Sequence, residues 1–306
     1  MRILIINKYQ NKVNRGAETY VLELSKRLMK NNSVEVDTNN YFYKILKNKY
    51  DVVIPTNGRA QVFIVRLLTW LTNAKMVVSG QSGIGLDDRL NLYAFPDYFV
   101  PLTNYALSWS DKINPFVKKK VIPNGVDLDK FFVKSVTPKK ERTILAVGAF
   151  TREKRHNLTI QAVSRLNNTK LIIAGGGGDK KNEIQALGTR LLGDNFETVQ
   201  TTNDKIPDIY RKADLFVFPT VSWESFGVVL VEAMASGLAV VATDDPIRRE
   251  IVGDAGLFVD PTNTDEYAKE IEKALDINWD GKPRKQAEKF SWDIITKKYE
   301  ELFNSF

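Results

Sequence analysis

Segments typical of strands and helices alternate along the whole chain, in two successive series. The first series starts with the strand RILIINK and the amphipathic helix GAETYVLELSKRLMKN, and continues with the strand patterns YDVVIPTNG, KMVVSG, DYFVPLT and KKVIPNG. The second contains TILAVGAF, the helix NLTIQAVSRL, KLIIAGGGG, a helix near residues 183–192, DLFVFPT, the helix after Glu224, AVVATDD and AGLFVD. Elements that alternate in this way form parallel sheets with helices on both faces. The pattern therefore predicts an α/β protein with two doubly wound, Rossmann-like domains.

The predicted boundary between these domains lies in the charged stretch at residues 127–142, which contains a proline and has no strong period. We expect an N-terminal domain at residues 1–135 and a C-terminal domain at residues 136–289. Residues 290–306 have the pattern of an amphipathic helix, with Ser291 as a candidate N-cap. This helix could pack back on the first domain or stay with the second, because the pattern allows both.

Composition excludes several classes of protein. The chain has no cysteine, so it has no disulfides, thiol nucleophiles or thiolate metal ligands. The first residues lead directly into a strand without a secretory leader, and the most apolar stretch, residues 61–78, is interrupted by Arg66, Asn73 and Lys75. We therefore expect a cytoplasmic protein without a signal peptide or a transmembrane helix.

Positive charge is concentrated in the first 135 residues, which hold 20 Lys and Arg against 11 Asp and Glu, whereas the remainder holds 24 against 26. Such an excess is either a solvated basic face or an attraction to an acidic partner such as phospholipid. The second alternative predicts peripheral contact with an anionic membrane at its inner face. No nucleic-acid-binding motif is present, so no nucleic acid partner is expected.

Two turns that lead from a strand into a helix have residues suited to an anion. Gly16 opens the first helix, where a missing side chain would let a phosphate approach the backbone, although a glycine also simply fits such a turn. In the second domain Arg152, Lys154 and Arg155 precede the helix NLTIQAV. Cations at a helix start oppose the helix dipole, so they indicate either a bound anion or an exposed basic loop.

A third turn lies in the stretch WESFGVVLVEAMASG, where two acids stand in an otherwise apolar pattern. Glu224 lies in the turn after a buried strand, and Glu232 follows roughly two helical turns later. The amides of Phe226, Gly227 and Val228 would face a phosphate, and the Glu232 carboxylate could accept hydrogen bonds from two adjacent hydroxyls. The alternative is that neighbouring Lys or Arg residues neutralise both acids.

The spacing of these acids, the VIPNGVD turn, GAE at the first helix and EK after the first strand of the second domain together resemble retaining glycosyltransferases of the GT-B fold, family 4 (glycosyl transferases group 1). The resemblance covers nearly the whole chain and is most specific in its second half. It implies sugar transfer from a UDP- or GDP-sugar to a hydroxyl of a glycan or lipid-linked acceptor. It also implies retention of anomeric configuration, with no metal ion and no other cofactor.

The resemblance assigns roles to the residues that match the family's motifs. Glu232 binds the ribose hydroxyls of the donor, and Glu224 lies near its sugar and diphosphate. The backbone amides of residues 226–228 support the donor's sugar and diphosphate. Lys154 neutralises the departing diphosphate, and we infer that Arg152 reaches the same phosphates.

Several positions depart from the family's pattern or carry other signals. Ala149 stands where the family usually has an arginine, and a histidine common in the N-terminal domain is absent, so that Gln81 or Ser82 would supply hydrogen bonds in that region. The single histidine, His156, is expected to face solvent or to cap a helix. The pair Asp244 and Asp245 is followed by two arginines, which favours internal ion pairs over a metal site.

Two other functions on the same scaffold remain open from the sequence. A nucleotide-sugar epimerase would use the same donor site, and a non-catalytic nucleotide-sugar-binding protein is consistent with Ala149 and with the missing histidine. A glycan phosphorylase would need a lysine in a pyridoxal-binding context, which the sequence does not contain.

Overall fold

The computed structural model of the chain describes residues 1–10, 16–133, 141–200, 205–222 and 224–306. The chain divides into two compact units, and each contains a six-stranded sheet. The first unit comprises Met1–Gly125, Trp223–Phe226 and Phe290–Phe306, and the second comprises Val126–Ser222 and Gly227–Lys289. The boundary expected between residues 135 and 136 lies outside the described residues.

The first unit contains a parallel sheet with helices between its strands. The strands are β1 (Arg2–Ile6), β2 (Ser33–Asp37), β3 (Val52–Pro55), β4 (Lys75–Ser79), β5 (Tyr98–Val100) and β6 (Lys118–Lys119). The helices are α1 (Gly16–Leu28), α2 (Tyr41–Lys47), α3 (Ala60–Thr72), α4 (Leu86–Tyr93), α5 (Asn104–Ile113) and, at the end of the chain, α13 (Trp292–Phe303). The strand order β2-β1-β3-β4-β5-β6 is that of a doubly wound sheet.

Helices cover both faces of this sheet, because alternate residues of its buried strands point in opposite directions. Ile3 and Ile5 pack with α1 and α13 on one face, whereas Leu4 and Ile6 pack with α2, α3 and α4 on the other. The C-terminal helix α13 is thus part of the first unit. Its Tyr299 hydroxyl lies 2.8 Å from the hydroxyl of a buried tyrosine of α1.

The second unit repeats the architecture. Its strands are β7 (Arg142–Val147), β8 (Thr169–Ala174), β9 (Phe196–Val199), β10 (Leu215–Phe218), β11 (Ala239–Thr243) and β12 (Gly256–Val259). Its helices are α6 (His156–Val163), α7 (Lys181–Leu192), α8 (Ile206–Tyr210), α9 (Val228–Ala235), α10 (Pro246–Val252), α11 (Thr264–Asp276) and α12 (Lys282–Glu288). The order β12-β11-β10-β7-β8-β9 reverses between β7 and β10, which pair in parallel. Open α/β sheets bind ligands beyond the carboxyl ends of the strands at such a switch point.

The predicted fold class, two doubly wound parallel sheets, is confirmed. The sequence analysis missed the edge strands β2 and β9, whose sequences SVEVD and FETV carry charged residues because an edge strand is partly exposed. In the part of the chain that the structure describes, none of the helices combines the length and the apolar character that crossing a bilayer requires.

Candidate functional site

The backbone at the carboxyl ends of β7 and β8 is closely packed. The Phe150 N–H donates to the Gly177 carbonyl oxygen (3.0 Å), and the Lys180 N–H donates to the Phe150 carbonyl oxygen (2.9 Å). Gly178 has a φ of +98°, and a Cβ there would lie 2.2 Å from the Phe150 oxygen. Only glycine fits this position, which brings the two strand ends together as one rigid surface.

The basic turn predicted after β7 lies on this surface. Arg152–Lys154 form a single 3-10 turn, and the Glu153 carbonyl oxygen accepts a 3.1 Å hydrogen bond from the Val221 N–H, just beyond β10. The alkyl chain of Lys154 contacts Gly148, and its Nζ lies 5.7 Å from the Phe218 ring centroid. Lys154 is therefore held where β7 and β10 end. Arg152 is exposed.

The start of α9 lies against the same phenylalanine ring. Gly227 is the N-cap of α9 with a φ of +78°, and a Cβ there would lie 2.9 Å from Phe218 Cζ. Val228 is the first helical residue, so its N–H has no partner within the helix, whereas the Leu230 N–H donates to the Gly227 carbonyl oxygen (2.9 Å). Phe218 thus brings together two of the predicted groups, the Lys154 ammonium and the N-terminus of α9.

Glu232 lies further along α9, where its carboxyl is half-buried. Oε2 accepts a 2.9 Å hydrogen bond from the hydroxyl of Tyr210, which is fully buried. Burial raises the pKa of Glu232, and the Tyr210 hydrogen bond and the charge of Lys130 oppose that rise. Among the described residues no Lys or Arg lies within ion-pair distance of this carboxylate. Among these residues, then, no direct ion pair neutralises Glu232, which was the alternative left open for it.

Three of the predicted residues belong to the first unit. Gly16 is the exposed first residue of α1, and residues 11–15, which lead into it, lie outside the described residues. Glu224 is half-buried, and the ring of Phe226 is buried edge-on against Phe290, with ring centroids 5.8 Å apart. The Phe226 side chain is therefore part of the packing of the first unit, and its predicted role in binding concerns only its backbone amide.

The amide of Gln81, the proposed substitute for the missing histidine, is already engaged. Its Nε2 donates to Ser79 Oγ (2.9 Å) and to Asn124 Oδ1 (2.8 Å), and its Oε1 accepts from Asn124 Nδ2 (3.0 Å). Both donor hydrogens are thus used within the chain. Gln81 fixes the position of the turn that contains Asn124.

The expectation that His156 faces solvent is wrong. It is the first residue of α6 and is buried, with Nε2 3.2 Å from the Ala149 carbonyl oxygen. Burial lowers the pKa of His156 to about 4. Hydrogen bonds to the backbone at Ala149 and Gly148 oppose this change, and the charge of Lys154 adds to it. The ring is therefore neutral at physiological pH.

Sequence reasoning missed the side chains that hold the site residues in place. Tyr210 orients Glu232, and Arg248, whose side chain is fully buried, donates to Thr220 Oγ1 (3.0 Å) and to the Val221 carbonyl oxygen (2.7 Å). Arg248 thereby fixes the segment that precedes Glu224. No motif pointed to these contacts, since each joins residues more than 20 positions apart.

The two arginines after β11 pair internally as the sequence analysis interpreted them. Arg249 binds Asp244 at 2.5 Å and 2.9 Å, and Arg248 Nη1 lies 3.3 Å from Asp245 Oδ1. In the described part of the chain no group of three or more acids and histidines could hold a metal ion.

Comparison with known proteins identifies the family to which this geometry belongs. The profile of the glycosyl transferases group 1 matches residues 127–291, more than half of the chain. A phosphatidyl-myo-inositol mannosyltransferase of Mycolicibacterium smegmatis is 28% identical over 199 residues, 60% of this chain and 51% of that protein. An uncharacterized glycosyltransferase of Methanocaldococcus jannaschii is 32% identical over 206 residues, 62% and 48%. The chain spans about half the length of these curated relatives.

Solved structures match over the whole chain. Anabaena HepE in complex with UDP and glucose superposes with a TM-score of 0.84 at 19% identity, covering 100% of both chains. Sucrose-phosphate synthase from Thermosynechococcus elongatus gives 0.80 at 16% identity, covering 99% of this chain and 98% of that one. At these identities the likeness establishes the GT-B fold. Together with the matched family profile, it shows that the chain belongs to the glycosyl transferases group 1.

Proposed function

We propose that the chain transfers a sugar from a nucleoside-diphosphate sugar to a hydroxyl acceptor, with retention of anomeric configuration and without a metal ion. The observation that carries the proposal is the grouping around Phe218 in the second unit. Lys154 and the N-terminus of α9 meet there, and Glu232 lies in the same helix. In a nucleotide-sugar donor, the diphosphate would bind Lys154 and the start of α9, and the ribose would bind Glu232.

The ribose part of the proposal rests on the carboxylate of Glu232. Tyr210 donates to Oε2 and uses one of about four acceptor positions of the carboxylate. The remaining positions can accept hydrogen bonds from two adjacent ribose hydroxyls. A nucleotide base or a single hydroxyl would fit these positions less well. Burial raises the pKa of this carboxyl, so hydrogen bonds from a ligand would offset a desolvation cost that Tyr210 and Lys130 compensate only in part.

The diphosphate part rests on positive charge that is fixed before the reaction. As the sugar departs from the diphosphate, negative charge develops on the phosphate oxygens. Lys154 and the amides at the start of α9 would stabilise that charge, and Arg152 would add a second cation from the exposed side of the turn. Charge stabilisation by these groups is the role that a metal ion plays in other transferases. Glu224 is proposed to lie near the transferred sugar.

The acceptor is proposed to be a glycan or a lipid-linked molecule. The excess positive charge of the first 135 residues supports an acidic acceptor and peripheral contact with an anionic membrane. The mannosyltransferase relative is named for phosphatidyl-myo-inositol, a lipid of that kind. Neither the donor base nor the sugar is specified by the residues described above.

A direct assay tests the proposal. The protein is incubated with a panel of radiolabelled UDP- and GDP-sugars, with and without candidate acceptors, and nucleoside diphosphate release is followed with EDTA present. Transfer or slow donor hydrolysis is expected, and the anomeric proton coupling of the product, measured by NMR, should match that of the donor. Inversion of the anomeric centre would refute retention, and a requirement for a divalent ion would refute the metal-free mechanism.

The same assay separates the two other functions. An epimerase would return an isomerised sugar still attached to the nucleotide. A non-catalytic binder, favoured by Ala149 in place of an arginine, would bind donor without turnover. Either result would replace the transferase proposal.

A further inference from the structure

Two neighbouring helices of the first unit, α2 and α3, pack against each other and expose a large apolar surface. Five of its side chains are between 56% and 68% exposed: Phe42, Tyr43, Leu67, Trp70 and Leu71. We call these five residues the α2/α3 face. Exposed apolar side chains concentrated on two packed helices indicate a site that binds a protein, a ligand or a membrane.

Helix α3 is apolar on both of its long sides. Val65 and Leu68 are buried in the core beneath the helix. Phe63, Leu67 and Trp70 follow i, i+4, i+7 spacing and, at about 100° per residue, fall on the opposite side. A surface helix normally carries polar residues there. The second apolar side does not pack in the core of the first unit. Its exposure indicates that α3 binds a partner outside the chain.

Charge decides which partner fits the α2/α3 face. Between residues 38 and 86 the sequence has six Lys and Arg and a single acid, Asp51. Four of these cations pair with acids outside this range, whereas Lys47 and Lys49, at the end of α2 and just beyond it, form no ion pair among the described residues. Neither α2 nor α3 contains an acid. Two copies of the chain that met through this face would bring two positive surfaces together, which is unfavourable. An anionic surface is complementary to it.

Cations lie beside the aromatic rings of the face. Lys47 Nζ is 5.1 Å from the ring centroid of Tyr43, and the guanidinium carbon of Arg66 is 4.8 Å from that of Trp70. Arg66 is also anchored by Asp97, at 2.6 Å. Tyrosine and tryptophan favour the boundary between headgroups and acyl chains, where a neighbouring Lys or Arg reaches the lipid phosphates.

We propose that the α2/α3 face docks on the surface of an anionic bilayer, with Trp70, Leu67 and Tyr43 entering the headgroup boundary and Lys47 contacting lipid phosphates. This is the mode of an interfacial helix, which lies in the plane of the membrane and does not span it. The inference deepens the membrane part of the proposed function. It requires no sugar transfer, so it is tested without donor or acceptor.

Vesicle flotation tests the docking directly. The full chain is mixed with phosphatidylcholine vesicles and with vesicles in which about a third of the lipid is phosphatidylglycerol. Binding to the anionic vesicles only is expected, and it should weaken at high salt because the Debye length falls to about 3 Å at 1 M. The double substitution Leu67→Glu and Trp70→Glu should weaken this binding by about tenfold or more, equivalent to about 1.4 kcal/mol.

A matched control lies on the other face of the same sheet. Leu22 and Met29 are 53% and 51% exposed, in α1 and directly after it, so Leu22→Glu with Met29→Glu adds the same charge away from the α2/α3 face. This control should keep most of the binding. Equal loss in both double variants would overturn the inference, because it would then be net charge and not the face that matters.

Two further measurements keep the test decisive if the face variant folds poorly. Wild-type tryptophan fluorescence should be quenched by vesicles with brominated acyl chains, and Trp70→Phe should remove most of that quenching. Sedimentation without lipid should give a monomer. A dimer that Trp70→Phe weakens, without any binding to vesicles, would show that a second copy covers the face and would overturn the inference. A wild-type chain that transfers sugar but binds no vesicles would overturn the inference and leave the proposed function standing.

Discussion

Replacing Glu232 by glutamine should weaken donor binding without weakening the fold. Glutamine has the same shape, and its carbonyl oxygen can still accept the hydrogen bond from Tyr210. The substitution removes the negative charge and presents an NH₂ group where the carboxylate would accept from the ribose. The two properties of the protein, affinity and stability, should therefore respond in opposite ways.

The expected loss of affinity follows from the hydrogen bonds at risk. A hydrogen bond to a charged group contributes about 1.5 to 3 kcal/mol, and the amide can recover part of the interaction by donating to a hydroxyl oxygen. We expect a net loss of about 1 to 3 kcal/mol, which is roughly 5- to 150-fold in the donor Kd. The structure supports the upper part of this range, since burial strengthens the bonds that a half-buried carboxylate makes.

Stability should change with pH in a defined direction. Burial raises the pKa of Glu232 in the folded protein, so this carboxyl contributes stability below the ordinary glutamate pKa of about 4.3, and that contribution is lost as pH rises through the folded value. Glutamine does not titrate. The melting temperature of Glu232→Gln should therefore equal or exceed that of the wild type at about pH 8, and the gap should narrow as pH falls toward about 4.

Isothermal titration with UDP- and GDP-sugars and a thermal melt of the unliganded protein measure both effects on the same samples. Glu272→Gln is the matched control, because Glu272 is exposed on α11 of the same unit. It should leave both the Kd and the melting temperature unchanged. An unaltered Kd for Glu232→Gln would remove this acid from the donor site. A melting temperature that falls at about pH 8 in Glu232→Gln, and not in the control, would show that the carboxylate serves the fold.

Three further outcomes are expected from the same site. Lys154→Met keeps the alkyl contact and removes the ammonium, so kcat should fall by roughly 100-fold, whereas Lys273→Met, at an exposed lysine of α11, should leave kcat unchanged. Gly178→Ala should lower the free energy of unfolding in urea by about 2 kcal/mol or more, because the added Cβ meets the Phe150 oxygen. Gly177→Ala is the control: its φ is also positive but no atom lies near the added Cβ, so it should lower that free energy by only about 1 kcal/mol. EDTA at millimolar concentration should leave the transfer rate within about twofold of its value in its absence, and restoration by added magnesium would contradict the metal-free mechanism.

The elements that the sequence predicted best are those that are buried on both faces. The strands β7, β8, β10 and β11 appear as continuous apolar runs because helices cover the sheet on both sides. The edge strand β2 has a neighbour on one side only and carries Glu35 and Asp37, so its sequence resembles a polar loop. The order of the strands in the sheet cannot be predicted from one segment, because it depends on which other strands pair with each other.

The site was predicted only as far as single turns of chain. The spacing of Glu224 and Glu232 and the basic residues after β7 identify turns suited to anions and hydroxyls. The contact of Lys154 with Phe218 and the bond between Tyr210 and Glu232 require β10 to lie beside β7 and α8 to pack near α9. Those neighbours are set by the whole sheet, so no local spacing could reveal them.

His156 shows how a local signal can mislead. Three cations precede it, which suggested an exposed loop. The chain takes a left-handed conformation at Arg155, with a φ of +50°, and His156 then enters the core as the first residue of α6. The hydrogen bond between Nε2 and the Ala149 carbonyl oxygen satisfies one of the two ring nitrogens there. The basic turn is thus anchored from beneath by a neutral ring.

The α3 segment illustrates the same limit in the opposite direction. Arg66 interrupts its apolar run, which argued correctly against a membrane span. The interruption says nothing about the remaining apolar residues, since Arg66 lies at the flank between a buried side and an exposed one. A helix that is apolar on two sides but too short and too charged to span a bilayer is suited to lie on one.

The strongest physical argument for a ligand is the state of Glu232 in the unliganded protein. An acid in an apolar helix could be neutralised by a Lys or Arg, but among the described residues its direct partner is a tyrosine hydroxyl, and burial still raises its pKa. A leucine or glutamine at this position would serve the fold at least as well. We therefore propose that this carboxylate serves a ligand, and a pair of ribose hydroxyls would supply hydrogen bonds in addition to the one from Tyr210.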